Sequence, residues 1–241
     1  MKARWALRIA VVALLAGFTT AELPAGQAPA APPHLSDHGT FEIFAAGKSI
    51  GTETFEIRVR KDQIEAQGNV QLQVEQNGKT VEVRTTSNLL LDPQLDPLSY
   101  TWSQKGTQSS QLSIDFRAQP AHVRYKTVRG QDDQRDFHLE KDVVVLDDNV
   151  FHQYQLAVAR YDAAKAGQQA FRAFIPQEAL PGTITLNSLG ADQVRVEEKT
   201  LTLRHFLLST ELAQINLWVD DQGHLQKVST PDSQFQVMRK K

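Results

Sequence analysis

The sequence predicts a mainly β protein: a curled antiparallel meander sheet, an incomplete barrel of about 10–12 strands, with one central helix as a plug or lid. Two observations predict this fold. Apolar and polar residues alternate along most of the chain after residue 40, which is typical of strands with one dry face. The exception is DDNVFHQYQLAVARYD, residues 147–162, where the apolar spacing is close to 3.6 and indicates a helix.

The predicted strands are joined mostly by short hairpins and are separated by turn residues. Phe55, Ile57 and Val59 share one face, and the charged residues between them share the other. Asn77-Gly78 supplies the residue pair preferred in a tight type I′ hairpin turn. Similar alternation recurs at residues 70–74, 81–83, 98–102, 112–116, 123–125, 171–175, 184–186, 194–196, 201–203, 215–219 and 235–237.

The width of such a sheet limits how its dry face can be covered. Strands lie ~4.8 Å apart, so eleven of them span on the order of 50 Å, whereas a helix is only ~10 Å across. One helix cannot cover that face. The sheet must therefore curl on itself, pack as a two-layer sandwich, or hold an apolar ligand. We favour the curled sheet, with the sandwich as the alternative.

The predicted helix runs from Asp147 to Asp162. Asp147, Asp148 and Asn149 are all suitable N-cap residues, and Gly167 is a suitable stop. Its apolar side chains fall on two opposite faces, which indicates burial on both sides. We therefore expect it inside the curled sheet or across its mouth.

Beyond the helix, residues 174–186 carry Pro176 and Pro181. Proline disfavours a central paired strand, so we expect a rim loop there that could serve as a gate. The residues expected to contact a ligand are those of the helix, the neighbouring strand and this loop. They are Val150, Phe151, Tyr154, Val158, Tyr161, Trp102 and Phe174.

The chain is predicted to have three regions. Residues 1–21 have a basic start and an apolar stretch at 9–18, too short to span a bilayer, and read as a signal peptide. Residues 22–39 are rich in Pro and Ala and read as a disordered tether. Residues 40–241 form a single domain. We expect a bacterial protein that is periplasmic or secreted; a retained signal anchor is the alternative.

Composition excludes several classes of function. There is no cysteine, so disulfides, lipoprotein acylation and thiolate metal sites are ruled out. The formal net charge is −2, and the only basic cluster is at residues 239–241, so we expect no nucleic-acid partner. No cofactor or metal is expected either, because no nucleotide-binding or metal motif occurs; His34 and His38 lie in the tether, where no helix would bring them together.

The best catalytic candidate is His152, with Asp147 or Asp148 to orient it and with His205 or Glu211 from a later strand. A histidine oriented by a carboxylate can act as a general base. On an apolar helix face, however, a histidine is more often packed in the core. We therefore assign no catalytic residue and keep a hydrolase-like enzyme using His152 as an alternative.

Two short segments carry a resemblance. The carboxy-terminal run from Ile215 to Lys240, INLWVDDQGHLQKVSTPDSQFQVMRK, and the opening Gly47-Lys48-Ser49-Ile50-Gly51 resemble the LolA/LolB-type half-barrel proteins of bacterial envelopes, or uncharacterised periplasmic families of that architecture. The resemblance implies an apolar cavity that holds lipid or acyl chains beneath a lid. This chain departs from LolA in having one clear helix, and from LolB in lacking the lipoprotein cysteine.

These observations predict a non-enzymatic exported protein that binds an apolar or lipid-like ligand inside the curled sheet. The second interpretation is an envelope scaffold or partner-binding module whose core is filled by its own side chains.

Overall fold

The computed structural model describes residues 35–240, apart from 77, 107–108, 128–131, 197 and 212. The predicted signal peptide and most of the predicted tether lie outside the described residues. The first strand begins at Asp37, so the last three residues assigned to the tether belong to the sheet. Among the described residues, no helix is both long enough and apolar enough to cross a membrane.

The architecture is one large curled sheet that is not closed, which confirms the predicted fold class. It has 15 strands in the order β8 to β1, then β15 to β9. All neighbouring pairs are antiparallel except β9 with β10. The strands of the first half are β1 Asp37–Ala45, β2 Lys48–Val59, β3 Ile64–Gln76, β4 Lys79–Leu91, β5 Pro97–Lys105, β6 Ser110–Asp115, β7 Ala121–Thr127 and β8 Asp132–Phe137. Those of the second half are β9 Val144–Val145, β10 Gln168–Ile175, β11 Leu180–Val196, β12 Lys199–Ser209, β13 Gln214–Val219, β14 Leu225–Ser229 and β15 Phe235–Lys240.

The strand number exceeds the predicted 10–12 because the sequence analysis did not identify four strands, β1, β8, β9 and β14, whereas the predicted segments 184–186 and 194–196 belong to one strand, β11. β8 reads DDQRDF and is almost wholly exposed, so it has no apolar alternation to detect. β9 has only two residues, too few to show any period. Both lie at the open edges of the sheet, where charged residues and short strands discourage pairing with another chain.

Side chains, not a strand ladder, bring the two open edges together. The ring of Phe137 in β8 lies 5.0 Å from that of Phe174 in β10. The Tyr125 hydroxyl in β7 donates to the Pro176 carbonyl oxygen, 3.1 Å away. We call this junction the seam. No strand pairing of the described residues crosses it.

One main hydrophobic cluster fills the interior, with residues from both halves of the sheet and from the helix. Ile57, Leu89 and Leu217 are fully buried members from three distant strands. A two-layer sandwich is therefore not the arrangement, because a single sheet wraps around a single core.

The helix is shorter than predicted. α1 spans Gln153–Ala159 and its N-cap position is His152, with no side-chain cap bond. The predicted caps Asp147 and Asp148 precede it in an irregular stretch, because the Asp147 carboxylate is bound to the sheet and to the loop after β10. Gly167 does not end the helix; it lies just before β10.

The predicted rim loop is also mostly wrong. Residues 174–186 form the end of β10, a 3₁₀ turn at Pro176–Glu178 and the start of β11. Pro176 occupies the first turn of the 3₁₀ helix, where its missing N–H costs nothing. Pro181 is the second residue of β11, opposite Phe174, and a proline at a strand start is tolerated.

Candidate functional site

The plug segment, residues 146–161, contains α1 and lies against the inner face of the sheet. It is connected to the wall mainly by side-chain hydrogen bonds to single strands. These contacts come from Glu53 in β2, Tyr100 in β5, Leu225 in β14 and Leu95 in the β4–β5 connection.

Glu53 provides the cap that the local sequence lacks. Its Oε2 accepts hydrogen bonds from the backbone N–H of Phe151 at 2.9 Å and of His152 at 3.2 Å. Its Oε1 lies 2.7 Å from His152 Nδ1. Both side chains are 0% exposed. The carboxylate thus satisfies donors at the start of α1 from a strand about 100 residues earlier in the chain.

A glycine makes room for this pair. A Cβ at Gly68 in β3 would lie 2.6 Å from His152 Cε1 and 2.9 Å from Glu53 Oε1, closer than packed atoms allow. The His152 ring also stacks on Phe55, with ring centroids 5.9 Å apart and planes within 3°. Glu53 therefore binds the edge of the imidazole ring of His152, and the Phe55 ring packs parallel to its face.

Asp147 anchors the plug segment to the opposite wall. Its Oδ2 accepts from the Tyr100 hydroxyl at 2.7 Å. Its Oδ1 accepts from the backbone N–H of Asp148 and of Gln177, each at 3.1 Å. Burial raises the pKa of Asp147 from 3.8 to about 7, even though these hydrogen bonds oppose the shift. Burial likewise raises the pKa of Tyr100 well above its ordinary value.

A second carboxyl group lies beside it. Burial, followed by the nearby Glu178 carboxyl, raises the pKa of Asp148 from 3.8 to about 6. The two consecutive acids therefore favour the protonated form more than isolated carboxyl groups do. Their charge state in the folded protein changes between about pH 5 and 8.

The far end of the plug segment has two further anchors. Gln155 Oε1 accepts from the Leu225 backbone N–H at 2.9 Å. Arg160 donates to the carbonyl oxygens of Leu95 and Asp142 and lies 3.7 Å from Asp96. Burial lowers the pKa of Arg160, and the negative charges of nearby acids oppose this shift in part.

The predicted ligand-contacting residues lie in and around the plug segment. Val150, Phe151, Val158, Trp102 and Phe174 are buried in the main cluster, and Tyr154 and Tyr161 are half-buried against it. Phe151 and Tyr154 line one crevice together with Ile215, Val228 and Phe235. Its volume is about 30 Å³, room for about one or two water molecules.

A second concavity lies on the outer face, across β4 to β8. This outer groove has a volume of about 930 Å³. Its exposed lining includes Thr86, Thr101, Gln111, Arg124 and Lys126. Trp102, Leu112 and Tyr125 also contribute to the lining.

The proposed catalytic partners of His152 are wrong. Neither Asp147 nor Asp148 orients His152; Glu53 does. His205 belongs to another pair, with its Nδ1 2.8 Å from Asp192. It stacks there on Trp218, with ring centroids 4.6 Å apart.

Sequence reasoning missed Glu53, although a signal was present. Glu53 is in phase with Phe55, Ile57 and Val59, so it stands among the inward-facing positions of β2. A charged residue at an inward-facing position of a strand requires a buried partner. Its partner could not be identified from the sequence, because it lies 99 residues away.

Comparisons with known proteins support the architecture alone. No family model and no curated protein matches the sequence. A β-barrel-like protein of the domain of unknown function DUF1849 from Brucella abortus matches with a TM-score of 0.56 and 8% identity, over 85% of this chain and 95% of that chain. A DUF1089 family protein from Pseudomonas aeruginosa matches more weakly, with a TM-score of 0.47 and 13% identity over 75% and 90% of the two chains. The barrel-like shape expected from the LolA/LolB resemblance is supported, whereas these two proteins belong to other named families.

Proposed function

We propose that this chain is an exported, non-enzymatic binding protein in which an apolar or acyl chain replaces the plug segment inside the curled sheet. The observation that carries the proposal is the way the interior is closed. The plug segment is short and pairs with no strand of the sheet over nearly its whole length. It nevertheless covers the wide apolar inner face of the sheet, whose two ends meet at the seam.

The attachments of the plug segment support its displacement. α1 has only seven residues and no side-chain cap of its own; helices this short are marginal alone. Its main anchors are the buried Glu53–His152 pair and the buried Asp147. Desolvation of buried ionisable groups offsets much of the attraction they gain. The net free energy that holds the segment is therefore smaller than its number of contacts suggests.

The crevice beside Phe151 and Tyr154 supports one route of entry. It reaches the start of the plug segment between Phe151 and Phe235, whose ring centroids are 5.6 Å apart. Its lining is apolar on the strand side and carries Asp148 at one end. Separation of these two rings would extend the crevice beneath α1.

Cysteine labelling tests the displacement directly, because the sequence has no cysteine. Ala157→Cys places one thiol on the buried face of α1, and Ala121→Cys places one in the wall at β7; both alanines are 0% exposed. An acyl ligand such as methyl laurate should accelerate thiol labelling at residue 157 about tenfold or more, and not at residue 121. Equal rates at both positions would indicate global unfolding and overturn the proposal.

Recovery of a natural ligand provides the second test. The protein is purified from a bacterial envelope without detergent, extracted with organic solvent and analysed by mass spectrometry. An acyl compound in stoichiometric amount supports the proposal. Absence of any such compound, together with unchanged labelling at residue 157, rejects it.

One observation favours a second candidate, an envelope partner-binding module. The interior is filled by the protein's own side chains, and a groove with exposed polar and basic side chains crosses the outer face. This alternative expects no extracted lipid and a protein partner that protects Arg124 and Lys126 of the outer groove from chemical modification.

A further inference from the structure

Six buried side-chain polar atoms have no hydrogen-bond partner among the described residues. Three belong to the sheet: Ser87 Oγ, Trp102 Nε1 and, on the opposite face of β4 from Ser87, Asn88 Oδ1. Three belong to the plug segment: His152 Nε2, Gln153 Nε2 and Gln155 Nε2. Buried polar groups are nearly always paired, so each such exception requires an explanation.

Strand register places several of these groups in one patch. Gly68, Ser87 and Trp102 are consecutive cross-strand partners in β3, β4 and β5, and such neighbours lie ~5 Å apart. The His152 ring lies over Gly68, with Nδ1 turned toward Glu53 in β2. Its Nε2 therefore lies on the side of the ring away from Glu53, toward β4 and Ser87.

Gln153 borders the same patch. Its Oε1 accepts from the Asp147 backbone N–H at 2.7 Å, and Asp147 is bound to the Tyr100 hydroxyl. Tyr100 precedes Trp102 by two residues and so shares its face of β5. His152 of the plug segment therefore lies over Gly68 in this patch, and the wall groups Ser87 and Trp102 remain without hydrogen-bond partners.

The chemistry of the unpaired groups defines a suitable partner. The indole N–H of Trp102 and the amide N–H of Gln153 can only donate, and the Ser87 hydroxyl can donate or accept. The patch therefore requires an acceptor oxygen. Glu53 and Asp147 border it, and two buried carboxyl groups disfavour a further negative charge. A neutral carbonyl fits these conditions better than a carboxylate.

We propose that Ser87 and Trp102 bind the carbonyl oxygen of an ester- or amide-linked acyl chain whose tail lies along the apolar wall beneath the plug segment. This inference rests on the proposed function, because the tail of the acyl chain would lie where the plug segment lies. It assigns a substrate class, neutral acyl esters or amides, that the apolar interior alone does not specify.

Competition binding tests the inference, with the neutral dye N-phenylnaphthylamine as the displaced probe. Methyl laurate should bind about tenfold more tightly than dodecane, since two hydrogen bonds to neutral groups stabilise by about 1.4 kcal/mol. It should also bind more tightly than laurate above pH 7. The double variant Ser87→Ala/Trp102→Phe should lose the preference for the ester and keep its affinity for dodecane within about threefold.

The control is Trp218→Phe, which removes an indole N–H from the outer face, where it donates to Asp192; the ester preference should persist. Equal binding of methyl laurate and dodecane to the unchanged protein would overturn this inference and leave the proposed function standing. Failure of both compounds to bind would overturn the proposed function itself.

A stability measurement separates ligand binding from a structural role. Removal of an unpaired hydroxyl group, with little change in volume, should leave the midpoint of urea unfolding of Ser87→Ala unchanged. A large decrease in that midpoint, with the ester preference intact, would mean that structural water satisfies the pair and would reject the inference.

Discussion

The protein contains two carboxylate–histidine pairs of almost equal length in opposite environments. Glu53 Oε1 lies 2.7 Å from His152 Nδ1, and both side chains are 0% exposed. Asp192 Oδ2 lies 2.8 Å from His205 Nδ1, with side-chain exposures of 45% and 13%. The first joins the plug segment to the wall, whereas the second joins two neighbouring strands on the outer face.

The difference shows that burial, not distance, sets what such a pair contributes. In the buried pair, loss of the Glu53 carboxylate leaves His152 Nδ1 and two backbone N–H groups unpaired, and water does not reach this site. In the outer pair, water replaces a lost partner. Trp218 also stacks on His205, so the imidazole keeps its place without Asp192.

The largest effect is expected for Glu53→Ala. It removes the acceptor of His152 Nδ1 and of two backbone N–H groups, and should lower the free energy of unfolding by about 3–5 kcal/mol. Urea unfolding measures the loss. Glu56→Ala, on the exposed face of the same strand, is the matched control and should change it by less than about 1 kcal/mol. Equal losses for the two variants would contradict the role of burial.

Asp147→Asn should change the pH dependence of stability. The pKa of Asp147 rises from 3.8 to about 7 on folding, so the folded state binds the proton more tightly. Its contribution is therefore favourable at low pH and is lost as pH rises from about 4 to 7. Wild-type stability should fall by on the order of 2 kcal/mol between pH 5 and 8, and Asp147→Asn should flatten that decline.

Thermal unfolding across this pH range measures the Asp147 effect, with Asp221→Asn in an exposed turn as the control. Stability that rises from pH 5 to 8 in the wild type would reverse the expected sign and reject the assignment.

Gly68→Ala tests the fit of the buried pair. The added methyl group would meet His152 and Glu53 within 3 Å and should destabilise by about 1–3 kcal/mol. Gly182→Ala is the matched control, because a Cβ there meets no atom within 4 Å. If the clash with the imidazole causes the loss, Gly68→Ala should cost less in a His152→Ala background. Additive losses would indicate a separate cause.

The smallest effect is expected for Asp192→Ala. Because the pair is partly exposed, its loss should reduce the free energy of unfolding by only about 0.2–1 kcal/mol, and salt should reduce the difference further. Urea unfolding at low and high salt measures it. A loss as large as that of Glu53→Ala would show that burial does not separate the two pairs.

The comparison also explains which parts of the site could be predicted. His152 was identified because it interrupts an apolar helical pattern. Its partner was predicted among its neighbours, Asp147 and Asp148, because spacing along the chain is all that a single sequence offers. The actual partner, Glu53, is placed by the pairing of β1 to β4 and the return of the chain after β8.

Alternation determined a wide β sheet with one dry face, because its period places every second side chain on that face, and that face is too wide for one helix to cover. It favoured the curled sheet but left the sandwich open. The helical spacing of residues 147–162 indicated that the central segment is buried on two sides. Tertiary structure decided the length of α1, the 15-strand count, the seam and the filling of the interior. Those features depend on contacts between residues such as Phe137 and Phe174, or Glu53 and His152, whose energies arise only after distant strands have met.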